Sequence, residues 1–223
     1  MMKIIDLSVP VYGDSQIPPS QLKKISIETV HKEPGFWQAS WLSISAHLAS
    51  HVDSPLHVVE NSPAIGEIPL GKVFGEAVVL DFTDKGEDEE ITDKDLEKYA
   101  DEIKEGDIVI LRTDWGAKRF TAPDFSYWNK SPVLTPAGAR WLVERKPKAV
   151  AFDFFEEYNA RLRDFKPDDF IVHKILLGAG IIIIEGMVNL DRLPKRVKKF
   201  FACPLKIMVA EAAPARIFVI EED

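Results

Sequence analysis

The chain has 223 residues, 46% hydrophobic and 29% charged, values that exclude a collagen-like repeat, an extended disordered chain and a disulfide scaffold. Its 36 acidic and 28 basic residues leave a formal net charge of −8, without the basic footprint of a general nucleic-acid binder. The longest apolar run, Leu176–Ile184, is far shorter than the about 20 residues that span a membrane.

Asp6 interrupts the apolar start before a secretory h-region can form, and the single cysteine, Cys203, has no intrachain partner. The expected location is cytoplasmic. No internal repeat and no Pro-rich or Gly/Ser-rich linker divides the sequence, so one domain is expected over residues 1–223.

The first predicted strand is Lys3–Leu7, ahead of Pro10. Trp41–Ala46 alternates, with Trp41, Ser43 and Ser45 on one face and Leu42, Ile44 and Ala46 on the other, as in a half-buried strand. Ala77–Asp81 is a short apolar strand, and the acidic run Asp84–Glu90 reads as a solvated loop. Thr92–Lys104 reads as a helix, with Thr92 as N-cap and Asp93 and Asp95 in its first turn. The strand Ile108–Arg112 precedes a helix over Thr135–Arg145, capped by Thr135 with Pro136 at the first helical position. Ala149–Asp153 is a further strand, and a helix over Pro167–Ala179 stops at Gly178 or Gly180. Ile181–Ile184 and Ile217–Ile220 complete the set. The uninterrupted apolar runs suit strands buried on both faces, and several end in a charged residue, which places polar chemistry at strand ends. Strands alternating with helices give an α/β fold with a mixed sheet.

Three of the five histidines and an aspartate fall within eleven residues: His47-Leu-Ala-Ser-His51-Val-Asp53-Ser-Pro-Leu-His57. Imidazole and carboxylate are the usual ligands of zinc and related divalent ions. On a strand, His51 and Asp53 project to one face, and a turn near Ala49-Ser50 could bring His47 to them. His57, beyond Pro55, is either a ligand or a general base titrating near neutrality. Scattered surface or core histidines are the competing reading. Glu185 follows four isoleucines and must be paired or metal-bound if buried, or else sits at an exposed strand end. His173, taken alone, reads as a helix-surface residue. Cys203 beside Pro204 reads as a buried inert thiol, with nucleophilic catalysis a weak alternative.

Taken together, these segments resemble the metal-dependent cyclase-like hydrolase family, which includes bacterial kynurenine formamidase and isatin hydrolase. The family pattern His-x-Gly-Thr-His-x-Asp-x-Pro-x-His is matched in order and spacing by His47, His51, Asp53, Pro55 and His57. A later pattern is matched by His173-Lys174-Ile175-Leu176-Leu177, Glu185 and Asn189-Leu190. Weaker matches run nearly end to end, at Asp6-Leu7-Ser8, Leu111–Trp115, Pro204–Ile207, Pro214 and Arg216.

The resemblance implies a swivelling-type α/β domain, usually a homo-oligomer such as a dimer or tetramer. It implies a centre of two divalent ions, zinc or manganese, and hydrolysis of a small-molecule amide, formamide, lactam or lactone. On this chain, His47 and His51 would hold one ion, His173 the other, and Asp53 and Glu185 would bridge them. His57 would transfer the proton while a metal-activated water attacks the carbonyl. The sequence departs from the family where Gly-Thr becomes Ala49-Ser50, where an aromatic-Pro-Gly-Asp segment reads Tyr12-Gly13-Asp14-Ser15, and where Asp-x-x-Ser-x-Asp reads Asp153–Tyr158. Ala49 would be strained wherever glycine supplied a positive φ. The departures lie on the substrate side and bear on formylkynurenine as substrate more than on hydrolysis. A non-catalytic metal or small-ligand binding protein on the same scaffold and a metal-free protein are the rivals. Phe36, Trp37 and Trp41 read first as core packing and second as a wall for a cyclic substrate, and Trp115, Tyr127 and Trp128 admit both readings.

Overall fold

In the computed structural model, which describes residues 2–17, 25–120, 124–162 and 164–221, the apolar runs become strands of a sheet that closes on itself. The strands are β1 (Lys3–Asp6), β2 (Ser26–Lys32), β3 (Trp37–Ser43), β4 (His51–Asp53), β5 (Phe74–Asp81), β6 (Glu90–Ile91), β7 (Ile108–Arg112), β8 (Val133–Leu134), β9 (Ala149–Phe152), β10 (Ile182–Glu185), β11 (Arg196–Pro204) and β12 (Ala212–Glu221). The helices are short: α1 (Asp93–Glu97), α2 (Trp115–Arg119), α3 (Ser126–Asn129), α4 (Pro136–Glu144) and α5 (Ile171–Gly178).

The main sheet runs β1-β12-β11-β5-β7-β9-β10-β4, and β4 also pairs with β12. Seven strands therefore form a ring, with β1 added outside it against β12. Within the ring, β5, β7, β9 and β10 are parallel neighbours, and the crossovers between them carry the helices. These strands are buried on both faces. Val79, Ile110, Ala151 and Ile184 join the apolar core inside the ring, while Leu80, Leu111, Phe152 and Ile183 pack outward under Leu142, Leu176 and Leu177 of α4 and α5. This accounts for the absence of alternation in those runs. Strand β12 does alternate, with Ile217 and Val219 fully buried, because no helix among the described residues covers its outer face.

Local signals set the helix starts, and tertiary contacts set several ends. Thr92 and Asp95 form a reciprocal cap, Asp95 N donating to Thr92 Oγ1 and Thr92 N to Asp95 Oδ2. Here the predicted helix is too long. α1 stops at Glu97, where Tyr99 leaves helical geometry and donates its hydroxyl to the Asp81 carbonyl at 2.6 Å; only a 3-10 turn, Ala100–Glu102, follows. Thr135 caps α4 by accepting from Gly138 N at 3.0 Å, as the sequence indicates. The predicted Pro167–Ala179 helix divides into a 3-10 turn, Pro167–Asp169, and α5, whose first N–H groups point at a carboxylate from another loop.

Three further expectations are corrected. The alternating segment ends at Ser43 rather than Ala46, and among the described residues it pairs only with β2, in a separate hairpin. With neither face of this ribbon packed on the core, Phe36, Trp37 and Trp41 are 85%, 50% and 64% exposed instead of buried. Cys203 is exposed because Ala202, its neighbour on β11, takes the inward position. By contrast, Trp115, Tyr127 and Trp128 are buried, and Tyr127 and Trp128 pack edge to face beside Phe120.

Candidate metal centre

Strand β4 is three residues long and sits between β10 and β12. Alternation sends Val52 into the ring and sends His51 and Asp53 outward. Glu185 is the cross-strand partner of His51. His51 Nε2 accordingly lies 3.5 Å from both Asp53 Oδ1 and Glu185 Oε2. Helix α5 covers this face and brings His173 Nε2 to 3.2 Å from Glu185 Oε1 and 3.7 Å from Asp53 Oδ2. His47 arrives from the loop before β4, its Nδ1 3.0 Å from Asp53 Oδ1 and its Nε2 3.0 Å from Glu211 Oε1.

That loop turns at Ala49, whose φ of +53° is the left-handed conformation that glycine adopts more cheaply. The Ala49 carbonyl accepts a hydrogen bond from His51 Nδ1 at 2.9 Å, which leaves the Nε2 lone pair facing the carboxylates. Ser50 Oγ donates to the Gly186 carbonyl at 2.5 Å and accepts from Val9 N at 2.8 Å. The Ser50 hydroxyl thus ties the histidine loop to the end of β10.

His57 ends the 3-10 turn Pro55–His57. Its ring centroid is 4.3 Å from that of His47 and 5.5 Å from those of His173 and Phe170. The structure therefore gathers all six residues singled out in the sequence. His173 is buried, not on the helix surface, and Glu185 is buried rather than at an exposed strand end.

The electrostatics are those of a charge cluster sealed from water. Burial alone would raise the Asp53 carboxyl, but His47, His51 and His57 hold it far below the ordinary carboxylate range. Burial would lower His47, yet Asp53 and Glu211 carry it up to about 10. His173 is likewise raised, against burial, by Glu156, Glu157 and Glu185. Glu185 is lowered, against burial, chiefly by His173 and His51. His57 goes the other way: burial, then the neighbouring charges of His47 and His173, outweigh the pull of Asp53 and Glu185 and leave it at about 4.

Asp53 is completely buried, and among the described residues its oxygens face only imidazoles, with no backbone or hydroxyl donor. A buried carboxylate normally also draws on backbone or hydroxyl donors, so oxygens that face only three imidazoles fit a divalent cation. One donor atom each from His47, His51 and Asp53 falls within 4.8 Å of the others, and the same holds for Asp53, His57 and His173.

Three acidic residues at the site were not singled out in the sequence: Glu156, Glu157 and Glu211. Glu157 accepts from the backbone N–H groups of Ile171, Val172 and His173 and lies 3.2 Å from His173 Nδ1, so one carboxylate caps α5 and orients its imidazole. Glu156 is fully buried beside it. Both lie a few residues beyond the apolar strand β9, a signal related to the one that marked Glu185 at the end of β10. Glu211 carries no comparable signal, because only the pairing of β12 with β4 brings it to His47.

The cyclase family model, described as a putative cyclase, matches residues 5–156, which include the whole histidine segment. The chain belongs to the cyclase family. This cyclase-family chain is 25% identical to kynurenine formamidase of Bordetella petrii over 231 residues, 99% of each chain. Its fold matches isatin hydrolase A from Labrenzia aggregata, bound to benzyl benzoate, with a TM-score of 0.81 and 26% identity, covering 100% of this chain and 94% of that one. It also matches a protein described as a predicted metal-dependent hydrolase from Bacillus stearothermophilus, with a TM-score of 0.75 and 28% identity over 100% of both chains. The cyclase-family relation thus runs past the matched model and across His173 and Glu185.

Proposed function

We propose that this cyclase-family chain is a metal-dependent hydrolase acting on the C–N bond of a small amide, formamide or lactam, or on a lactone. The observation that supports this reading most is Asp53: a fully buried carboxylate whose oxygens face only the imidazoles of His47, His51 and His173 among the described residues. His47 and His51 would hold one divalent ion and His173 a second, with Asp53 and Glu185 between them. Zinc and manganese both accept such a mixture of imidazole and carboxylate.

Bound divalent ions supply a Lewis acid for the carbonyl and lower the pKa of water from 15.7 toward about 7. The protein supplies proton transfer and orientation. His57, held at about 4 by burial, is neutral at pH 7 and so is free to accept a proton and return it to the leaving nitrogen or oxygen. Phe170 packs against both His57 and His173 and keeps water from that side of the rings. Glu157 and the Ala49 carbonyl fix two of the imidazoles, so the donors are in place before a substrate arrives.

The test is metal content per chain after exposure to zinc or to manganese and dialysis, beside a His51→Ala control, followed by a panel of formamides, lactams and lactones. About two equivalents in the parent, reduced in the control, with turnover of at least one substrate class, is the expected result. A protein free of metal in every preparation would overturn the reading.

A further inference from the structure

Glu156 and Glu157 stand side by side at His173, with Glu156 Oε1 3.3 Å and Glu157 Oε2 3.2 Å from its Nδ1. Their surroundings differ. Glu157 is saturated by the N-terminus of α5. Glu156 is 0% exposed, and neither of its oxygens has a hydrogen-bond partner among the described residues. Arg161, on the same loop, directs its guanidinium to Asp88 and to the carbonyls of Pro132 and Phe155. With only the His173 imidazole in ion-pair range and Arg161 acting from farther off, a fully buried carboxylate without a hydrogen bond is costly and calls for a cation.

The backbone holds this carboxylate firmly. Phe155 N donates to Ser131 Oγ at 2.8 Å, Ser131 Oγ donates to the Phe155 carbonyl at 3.0 Å, and the Glu156 carbonyl accepts from Leu134 N at 3.1 Å. One donor atom each from Glu156, His173 and Glu185 lies within 4.8 Å of the others. We propose that Glu156 is a further ligand of the ion position at His173, which makes that position carboxylate-rich and suits it to a hard divalent ion of the manganese type. The inference rests on the metal-dependent reading above.

Donor chemistry separates the two positions. His47, His51 and Asp53 offer two imidazoles and one carboxylate, a set that favours zinc. Glu156, His173 and Glu185 offer one imidazole and two carboxylates, with Asp53 3.7 Å from His173 Nε2 as a further oxygen donor nearby, and oxygen-rich sets suit manganese or magnesium. Charge is consistent with this once ions are bound: as carboxylates, Asp53, Glu185 and Glu156 would bring three negative charges to a buried site, and two divalent ions would offset them.

The experiment loads the full chain with one equivalent of zinc and titrates it with manganese, following free manganese by its paramagnetic resonance signal and zinc by elemental analysis. The zinc-loaded parent is expected to take up about one manganese. Glu156→Gln is expected to keep its zinc and bind manganese about 10–100-fold more weakly or worse, at least as large a loss as removal of an outer partner causes. Unchanged manganese affinity in a folded Glu156→Gln protein overturns the inference while the hydrolase reading stands. A parent that keeps one zinc but takes up no manganese also overturns it. A parent that binds neither ion instead overturns the metal-dependent reading itself. Circular dichroism reports the variant's fold; should the variant not fold, the parent titration decides, uptake supporting the inference and no uptake overturning it.

Discussion

The carbonyl of Ala49 occupies the space into which a side chain at Gly186 would project. Gly186 also has a φ of +70°, and its own carbonyl accepts the Ser50 hydroxyl. The loop that delivers His47 is thereby pressed against the residue after Glu185. Gly186→Ala is expected to destabilise the protein by about 2–5 kcal/mol, the combined order of an overpacked contact and a left-handed alanine. Ala49→Gly is expected to be neutral or to stabilise by up to about 1 kcal/mol, since its φ of +53° then carries no Cβ penalty. Urea unfolding measures both, and an unaffected Gly186→Ala would contradict the close packing.

His57→Ala should keep the full metal content of the parent and lose turnover by about 10²–10⁴-fold, the usual contribution of a positioned general base. Metal analysis and initial rates on one preparation check this. Full activity in the variant would remove His57 from proton transfer.

Asp53→Ala should lose metal and activity together, because Asp53 lies between the His47 and His51 donors on one side and His173 on the other. An Asp53→Ala protein with parental metal content would sink its bridging position.

Metal uptake should release protons. In the metal-free chain His47 sits at about 10, so it is protonated at neutrality and must lose that proton to become a ligand. Affinity should therefore rise with pH, by up to about tenfold per pH unit for each proton displaced. Calorimetric titrations in buffers of different ionisation enthalpy count those protons, and a count of zero would contradict the prediction. Because this pKa is raised on folding, the stability His47 contributes to the metal-free chain is complete below its unfolded value near 6.5 and declines as pH climbs through about 10.

Glu157→Gln should cost about 1–2 kcal/mol through the weakened cap on α5. It should also loosen metal held at His173 while sparing metal at His47 and His51. Thermal melts with and without metal separate the two effects, and a variant indistinguishable from the parent in both would remove Glu157 as the orienting group.

Much of the architecture was legible because its physics is local. The uninterrupted runs at β5, β7, β9 and β10 announced strands covered on both faces, and Thr92 and Thr135 announced helix starts. The motif spacing put His51 and Asp53 on one face of β4 before any pairing was known. What the sequence could not show is set by long-range pairing. Nothing local says that β4 bridges β10 and β12, that Glu211 therefore reaches His47, or that α5 starts where Glu157 receives it. The β2–β3 ribbon carries the alternation of a half-buried strand but has no core beneath it. Alternation reports a strand, not what lies against it.

The ring of strands is completed by its shortest member, since β4 has three residues and pairs on both edges. Those same three residues include His51 and Asp53. A three-residue strand offers few ladder hydrogen bonds to either neighbour, and this is the seam that two bound ions would clamp through His173 and Glu185 on neighbouring elements. Cations at this seam would act as a clasp on the whole cylinder, so slow exchange of the β4 amides and retention of metal should rise and fall together.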